Sequence, residues 1–372
     1  MATARFHSHL HLEGVLSKSR GGETLTRNEV RFLLDLRREE DLSLLFQSAR
    51  EARACRFGNA IFLYGFVYFS TWCRNDCIFC LYRRSNPIAK RYRKSPDEVI
   101  EIARGLAESG VHLIDLTMGE DRFFWENGER ANGLVDLVGV LKSETGLPVM
   151  ISPGVIPKEA LRFLCAGGLD WYACYQETHN RSLFGNLRPG QDYDERMASK
   201  QEARGMGLLI EEGILSGVGE TSDDIVTSLE AMKALRAHQI RAMTFIPQKG
   251  TPLEKIPPPS SQRELVIIAL MRLLFPDRLI PASLDVGGIK GLRERLLAGA
   301  NVVTSLIPPH SGLGGVAQSV LDVDEGYRTV QGVAPTLEEL GLRMATSREY
   351  GHWVDRERGR STARSNQREI RP

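Results

Sequence analysis

The stretch that decides the fold is residues 60–80, AIFLYGFVYFSTWCRNDCIFC. Residues 60–69 are apolar and aromatic around a single glycine, which is typical of a strand buried on both faces. Three of the chain's six cysteines, Cys73, Cys77 and Cys80, follow directly. Thiolates are soft ligands that select iron–sulfur clusters, zinc or copper(I). The stretch therefore predicts a metal site at the exit of a buried strand.

From this strand onward, the sequence alternates between strand and helix patterns. Eight such alternations indicate a parallel sheet, and their number predicts a closed (βα)8 TIM barrel. An open doubly wound sheet is the alternative, but no Gly-rich dinucleotide fingerprint follows the first strand. Barrel enzymes carry their chemistry at the C-terminal ends of the strands, where the cysteine loop would lie. The expected strands lie near residues 60–69, 112–117, 148–152, 170–175, 207–217, 241–246, 279–284 and 301–305.

Three regions are expected along the chain. Residues 1–58 form an N-terminal helical extension that is loose up to residue 14, and residues 59–345 form the barrel. Residues 346–372 are highly charged and are expected to be a disordered tail.

Short local patterns predict further details. Capping boxes begin helices at Thr26, Ser95 and Ser261. The cysteines outside the loop, Cys55, Cys165 and Cys174, are expected to be packing residues.

Composition indicates which partners the chain is expected to lack and in which compartment it is expected. The net charge of +1 over 372 residues gives no signal for nucleic-acid binding. The first ten residues lack the apolar core of a signal peptide, and no apolar run is long enough to span a bilayer. Clustered reduced cysteines then favour the cytoplasm. We therefore expect a cytoplasmic protein without a nucleic-acid or membrane partner.

The cysteine loop itself separates two kinds of metal site. A structural zinc site needs a fourth close ligand, and residues 81–86, LYRRSN, supply none. A cubane on three thiolates keeps one iron open for a ligand, and Phe79 is able to pack on a purine. The CxxxCxΦC pattern resembles the signature of the radical S-adenosylmethionine (SAM) enzymes. The resemblance implies a [4Fe–4S] cluster held by Cys73, Cys77 and Cys80, with SAM on the open iron as the source of a 5′-deoxyadenosyl radical.

The same resemblance implies contacts to SAM at other strand ends. Met118-Gly119-Glu120 is similar to the family's turn beside the SAM amino group. Gln176 and Glu177 are similar to its polar residues after the fourth strand, and Arg196 to its arginine for the SAM carboxylate. Ser152 could face a ligand or simply form a turn.

The strand ends also predict a chamber for a charged substrate. Alternation places Asp115 inside the barrel, opposite Ile114 and Leu116, and places Ser283 and Asp285 on one face. An inward Arg241 would need an anion, with Asp115, Asp285 and a substrate carboxylate as the open candidates. An acid there is favoured as a ligand for a substrate ammonium, with a buried ion pair as the alternative. Two acids, one arginine and hydroxyls suit an amino acid with two ammonium groups and one carboxylate.

Five separated motifs resemble the lysine mutases of the biotin-synthase-like group. They lie at residues 62–72, 115–121, 175–178, 243–248 and 280–285. They implicate Asp115, Arg241, Ser283 and Asp285 in substrate binding. The resemblance implies radical isomerisation of L-lysine to 3-methylornithine in pyrrolysine biosynthesis, with flavodoxin or ferredoxin as reductant. The nearest enzymatic alternative is a hydrogenase-cofactor maturase acting on another small amino acid. Sulfur insertion needs further barrel cysteines, and residues 205–216 have none. A zinc-binding interaction module is the non-enzymatic alternative.

Overall fold

The computed structural model describes residues 2–126, 128–318 and 320–369. The strands are β1 (Ala60–Ser70), β2 (Leu113–Met118), β3 (Val149–Ser152), β4 (Trp171–Ala173), β5 (Leu209–Ser216), β6 (Gln239–Thr244), β7 (Pro281–Ser283), β8 (Val302–Leu306) and β9 (Arg343–Met344). The helices are α1 (Ala2–Arg20), α2 (Arg27–Leu34), α3 (Glu39–Phe57), α4 (Pro96–Glu108), α5 (Gly128–Thr145), α6 (Lys158–Ala166), α7 (Arg181–Leu187), α8 (Tyr193–Gly205), α9 (Ser222–Leu235), α10 (Gln262–Leu274), α11 (Leu292–Leu297), α12 (Val320–Glu325), α13 (Val330–Glu339) and α14 (Ser347–Glu369). Within these residues, no helix is long and apolar enough to cross a membrane.

The first eight strands form a nearly closed parallel barrel with helices between them. Neighbouring strands pair in the order β6, β5, β4, β3, β2, β1, β8, β7. A parallel bridge between Gln239 and Leu279 joins the two ends of this order. The predicted (βα)8 barrel is confirmed, and each of its strands lies where the sequence pattern predicts one.

The barrel strands separate two apolar layers. Ile114 and Leu116 pack in the outer core, between strands and helices, whereas Leu113 belongs to the cluster inside the barrel. Asp115 shares the inward face with Leu113, because alternate residues of a strand point to the same side. Its predicted inward orientation is confirmed.

The structure corrects the predictions for residues 1–14, Cys55 and Ser261, and it confirms two predicted helix starts. Residues 1–14 were expected to be loose, but α1 begins at Ala2 and buries Leu12. Cys55 is exposed and does not serve packing. The capping boxes at Thr26 and Ser95 are present. Ser261 makes no capping bond.

The capping box at Ser261 fails because Glu264 has other partners. Its carboxylate is buried and accepts hydrogen bonds from Thr244 Oγ1 at 2.5 Å and Arg295 Nε at 2.5 Å. An ion pair inside the protein has therefore replaced the local bond to the helix start.

The segment predicted to be a disordered tail is helical in the described residues, which reach Glu369. Helix α14 covers the N-terminal end of the barrel, where Trp353 stacks on Trp171 of β4 with ring centroids 5.8 Å apart. Tyr350 Oη and Tyr64 Oη lie 2.9 Å apart. Both α14 residues are only 2% exposed. The polar composition of the segment hid a short apolar face that closes the bottom of the barrel.

Replacing Trp353 by alanine should destabilise the protein by about 3–5 kcal/mol, because it leaves a cavity against Trp171. Urea unfolding measures the change. Arg348→Ala, at an exposed position of the same helix, is the matched control and should change the unfolding free energy by less than about 0.5 kcal/mol. Equal midpoints for the two variants would contradict the role given to α14.

Candidate active site

The three loop cysteines lie together after β1. Cys77 is buried, while Cys73 and Cys80 are partly buried. Burial, with a smaller contribution from the neighbouring Cys77, raises the pKa of Cys73 to about 11. Burial also raises the pKa of Cys80, and the nearby Cys77 and Cys73 add to the effect. Cys73 and Cys80 thus resist ionisation until a metal displaces their protons, which is the behaviour expected of buried metal ligands.

Polar groups from the segment after α7 reach the same loop. Gln191 Nε2 donates to Cys77 Sγ at 3.0 Å, and Arg188 Nη1 donates to it at 3.4 Å. Donors aimed at sulfur stabilise a thiolate ligand and tune the potential of an iron–sulfur cluster. These contacts therefore fit a [4Fe–4S] cluster on the loop.

A glycine lets a second strand end approach the cysteines. Gly119 follows β2, and a Cβ built on it would lie 2.8 Å from the Cβ of Cys73. Gly119 N also donates to Ser70 O at 2.9 Å. Any side chain at this position would push the loop away.

The zinc alternative requires ligands gathered around one ion. In the described part of the chain, no three His, Cys, Asp or Glu side chains are placed to hold a single metal ion. A structural zinc site needs four such ligands. A cubane binds each of its three thiolates to a different iron, so three loop cysteines are enough to hold one.

A chamber of about 100 Å³ lies between the cysteine loop and the barrel interior. Several of the predicted residues line it, namely Phe79, Cys80, Asp115, Ser152, Glu177 and Arg241. The structure thus brings predicted cofactor-binding and substrate-binding residues to one cavity. Gly213 makes room for the Tyr175 ring on its wall, since a Cβ there would lie 2.9 Å from Tyr175 Cδ1.

Glu177 and Arg188 connect the chamber to the cysteine loop. Arg188 Nη2 donates to Glu177 Oε1 at 2.8 Å, and its guanidinium lies 5.2 Å from the centroid of the Phe79 ring. Burial raises the pKa of Glu177, while Arg188 opposes that effect. The backbone of Glu177 has a φ of 67°, a sparsely populated conformation for a non-glycine residue that often marks a functional site.

Glu120 and Arg196 lie together but outside the lining of this chamber. Arg196 Nη1 donates to Glu120 Oε1 at 2.6 Å, and Arg74 Nε donates to Glu120 Oε2 at 3.1 Å. Burial alone would raise the pKa of Glu120, but Arg196, together with hydrogen bonds of Asn75 and Val155, lowers it to about 2. Sequence reasoning gave each of these two residues a SAM group as partner, whereas here they bind each other.

Gln176 points away from the chamber. Its Oε1 accepts a hydrogen bond from Lys200 Nζ of α8 at 2.9 Å, and its Nε2 donates to Tyr193 O at 3.2 Å. Lys200 also pairs with Glu212 of β5. The predicted contact between the Gln176 side chain and SAM would require these internal bonds to break.

The base of the chamber holds two carboxylates and one guanidinium. Arg241 Nε donates to Glu211 Oε1 at 2.7 Å. Asp115 accepts from Thr117 Oγ1 at 3.0 Å. Burial and the charge of Glu211, opposed by Arg241, raise the pKa of Asp115 to about 7. No cation among the described residues forms an ion pair with Asp115.

Asp285 forms the ion pair that the sequence left open as an alternative. Arg328 Nη1 donates to Asp285 Oδ1 at 2.8 Å, and Ser305 Oγ donates to Oδ2 at 2.6 Å. Val316 N also donates to Oδ1 at 3.2 Å. Ser283 Oγ accepts from the backbone of Asp285 at 3.3 Å. Ser283 and Asp285 thus lie behind the chamber wall, to which Val316 contributes.

Sequence reasoning missed the partners Glu211, Arg188, Gln191 and Arg328. One signal for Glu211 was present, because Glu211 and Glu212 are consecutive acids in a strand predicted to be buried. Such neighbours point to opposite faces, and each then requires a cation. No comparable local signal marked Arg328, which is 43 residues from Asp285.

Comparison with known proteins decides the family. The radical SAM superfamily matches residues 67–246. Over 329 residues the chain is 44% identical to 3-methylornithine synthase of Methanosarcina acetivorans, which covers 88% of this chain and 93% of that protein. The chain belongs to the 3-methylornithine synthase family of radical SAM enzymes. The crystal structure of methylornithine synthase (PylB) superposes with a TM-score of 0.86 at 42% identity, covering 91% of this chain and 99% of that one.

A more distant relative belongs to the maturation of hydrogenases. The [FeFe] hydrogenase maturase subunit HydE of Thermotoga maritima is 33% identical, covering 70% of this chain and 74% of that protein. Membership of the radical SAM family, predicted from the cysteine loop, is confirmed. The family uses a [4Fe–4S] cluster and SAM, and the crowded thiols of the loop are consistent with that cofactor pair.

Proposed function

We propose that the chain isomerises L-lysine to 3-methylornithine, the product after which its 44% identical relative is named. The observation that carries this proposal is the charge at the base of the chamber, where Arg241 pairs with Glu211 and no cation among the described residues pairs directly with Asp115. A ligand that brings an ammonium group would complete the pairing. Lysine offers two ammonium groups and one carboxylate.

The two ends of lysine find different partners in the chamber. Asp115 would accept hydrogen bonds from an ammonium group, and Arg241 would bind the carboxylate as a charge-assisted pair. Glu211 holds Arg241 through its Nε, and Nη1 makes only a long contact of 3.8 Å to Met243 Sδ, so the Nη atoms can turn to the substrate. Tyr175, whose ring centroid lies 5.5 Å from the guanidinium, fixes its position further.

When bound, the cluster and SAM supply a 5′-deoxyadenosyl radical at the upper side of the chamber. Cys73, Cys77 and Cys80 would hold the cluster, while Phe79, Ser152 and Glu177 face the space that SAM would fill. The chain's own task is to hold the lysine side chain against that space and to exclude water. Helix α14 closes the base of the barrel, and Val316 and Phe245 form part of the chamber wall.

The remaining assignments belong to the same proposal. Gly119, Glu120 and Arg196 would receive the amino-acid end of SAM, with Glu120 and Arg196 exchanging their mutual bond for contacts to it. Gln176 would support this region through Lys200. Ser283 and Asp285 would meet the second ammonium group from behind the wall. An acidic carrier, a flavodoxin or ferredoxin, would supply the electron.

The function is tested by turnover with matched substrates. Reconstituted protein is incubated anaerobically with SAM, dithionite and either L-lysine, L-ornithine or cadaverine, which lacks the carboxylate. We expect a product isobaric with lysine from L-lysine alone, separable by chromatography. An isomer formed equally well from cadaverine would contradict the role of Arg241, and no isomer from any of them would contradict the mutase function.

The affinity for L-lysine should depend on pH through Asp115. Its pKa of about 7 in the empty chamber means that the carboxylate is lost as the pH falls through that value. The lysine side-chain ammonium stays charged there, since its own pKa is about 10.4. Calorimetric titration should show the dissociation constant rising about tenfold between pH 8 and pH 6. Asp115→Asn should bind weakly at both, and a pH slope that survives in this variant would refute the assignment.

A further inference from the structure

A buried ion pair lies behind residues 176–179, the turn that follows β4. Glu212 of β5 pairs with Lys200 of α8, and both side chains are fully buried. Lys200 Nζ also donates to Gln176 Oε1 at 2.9 Å, and His179 Nε2 lies 3.6 Å from Glu212 Oε2. These four side chains do not line the chamber. A polar cluster with no direct part in the reaction is thus gathered at the back of the turn.

The carboxylate of Glu212 binds the backbone as well as Lys200. Its Oε1 accepts hydrogen bonds from Gln176 N and from Gly213 N, each at 2.8 Å. Burial would raise the pKa of Glu212, but Lys200 and His179 hold it well below its usual range. The carboxylate is therefore ionised, and its bonds to the two amides are charge-assisted and stronger than bonds between neutral groups. Glu212 in this way joins the turn to β5.

The turn holds Glu177 in a conformation that its surroundings must enforce. A φ of 67° is unfavourable for a residue with a side chain and persists only where neighbouring contacts fix it. Leu215 N donates to Glu177 O at 3.0 Å on one side. On the other side, Glu212 fixes the amide of Gln176, which directly precedes Glu177. Two bonds from β5 therefore enclose the unusual backbone.

The orientation of Glu177 affects both the chamber and the cysteine loop. Its side chain lines the chamber, and its Oε1 accepts a hydrogen bond from Arg188 Nη2 at 2.8 Å. Arg188 Nη1 in turn donates to Cys77 Sγ at 3.4 Å. A change in the turn would therefore displace a carboxylate from the space that SAM would fill and weaken a contact to the cysteine loop.

We propose that Glu212 is a positioning residue of the cofactor site, whose carboxylate fixes the turn so that Glu177 is held against SAM. The two backbone bonds supply the position. Lys200 supplies the charge that a buried carboxylate requires. The inference rests on the proposed place of Glu177 beside SAM, and it does not depend on the identity of the amino-acid substrate.

Two double variants separate the backbone bonds from the charge. Both replace Lys200 by methionine, so that no buried charge is left unpaired. Glu212→Gln keeps a carbonyl oxygen for the two amides, whereas Glu212→Met removes it at a similar side-chain volume. Asp170→Leu with Lys142→Met is the matched control at the start of β4, where Asp170 Oδ2 accepts from Val149 N at 2.9 Å and from Lys142 Nζ at 2.7 Å.

The first readout is hydrogen exchange of residues 176–179, followed by mass spectrometry in protein without cofactors. The second is the dissociation constant for SAM, measured on reconstituted protein without reductant so that no turnover occurs. We expect the Glu212→Met double variant to exchange at least about tenfold faster and to bind SAM at least about tenfold more weakly, because buried amides lose their acceptor. The Glu212→Gln double variant and the control should resemble the wild type in both readouts.

A single variant tests whether Glu212 acts through Glu177. Glu177→Gln should bind SAM as weakly as the Glu212→Met double variant, with the exchange of the turn unchanged. Normal SAM affinity in Glu177→Gln would overturn the proposal. Equal SAM affinity in the two Glu212 double variants would overturn it as well, and so would a loss of affinity in the control, which would show general instability.

A milder change covers the case in which the Glu212→Met double variant does not fold. Glu212→Asp keeps the charge but withdraws the carboxylate by one methylene from both amides. It should raise the exchange rate and the dissociation constant for SAM together, and wild-type values of both would overturn the proposal. A failure of the lysine reaction alone would leave all of these readouts unchanged, so the two proposals fail in distinguishable ways.

Discussion

Replacing Arg241 by glutamine should raise the dissociation constant for L-lysine by about thirtyfold or more while leaving SAM binding intact. Removing one partner of a buried charge pair costs about 2–5 kcal/mol, and each 1.4 kcal/mol is a factor of ten. The side chain of Arg241 is 7% exposed, pairs with Glu211 and lowers the pKa of Asp115. Its loss removes the carboxylate site and leaves two acids to repel each other. Calorimetric titration with L-lysine and with SAM separates the two affinities.

A second variant distinguishes a loss of substrate binding from misfolding. Arg241→Gln combined with Glu211→Gln removes both members of the ion pair, so no carboxylate is left without its cation. It should fold like the wild type and still fail to bind L-lysine. Arg181→Gln, at an exposed pair with Asp194, is the control and should bind normally. Wild-type affinity in the double variant would show that Arg241 does not bind the substrate.

Replacing Cys77 by alanine should abolish the cluster and, with it, SAM cleavage. Cys77 is the cysteine whose sulfur accepts hydrogen bonds from Arg188 and Gln191, so two polar groups are committed to it. A cubane left with two protein thiolates loses a ligand that alanine cannot replace. Iron and sulfide content, the visible absorbance and 5′-deoxyadenosine formation with dithionite should all fall to background after anaerobic reconstitution.

The matched control for this loss is another cysteine of the same chain. Cys165 lies in α6, is partly buried, and donates to Met206 O at 3.4 Å. Cys165→Ala should keep the full iron content and absorbance. If Cys77→Ala retained a full cluster, the ligand set Cys73, Cys77 and Cys80 would be wrong. An equal loss in both variants would point to general instability.

The barrel was predictable because its evidence is local and repeated. A buried strand reads as an apolar run, and a helix start reads as a capping residue followed three positions later by an acid. Thr26 and Ser95 follow that rule. Ser261 does not, because the acid that should complete its box is used by Arg295 and Thr244, and those contacts lie far along the chain.

The chamber could be predicted only in part for the same reason. Alternation placed Asp115 inside the barrel, but a strand pattern shows the face of an acid and not its partner. Arg328 is the cation of Asp285, and Glu211 is the anion of Arg241. Ion pairs between distant residues have no characteristic spacing in the sequence, so no local pattern reveals them. Of the four residues predicted to contact the substrate, Asp115 and Arg241 line the cavity, whereas Ser283 and Asp285 lie behind its wall.

Helix α14 shows how composition can mislead. Tyr350, Trp353 and Val354 are spaced by three and one residues and fall on one face of a helix. They sit in a segment otherwise rich in charge, so the average composition indicated disorder. Three large side chains were enough, because they meet an apolar barrel end that includes Trp171 and Tyr64.

The most direct test of the account is hydrogen transfer from the substrate inside the chamber. Reconstituted protein is given SAM, dithionite and L-lysine deuterated on its side chain, and the 5′-deoxyadenosine is analysed by mass spectrometry. The account predicts 5′-deoxyadenosine carrying deuterium, because Asp115 and Arg241 hold the lysine side chain where the radical is generated. Abundant 5′-deoxyadenosine without deuterium, from protein with a full cluster, would contradict it.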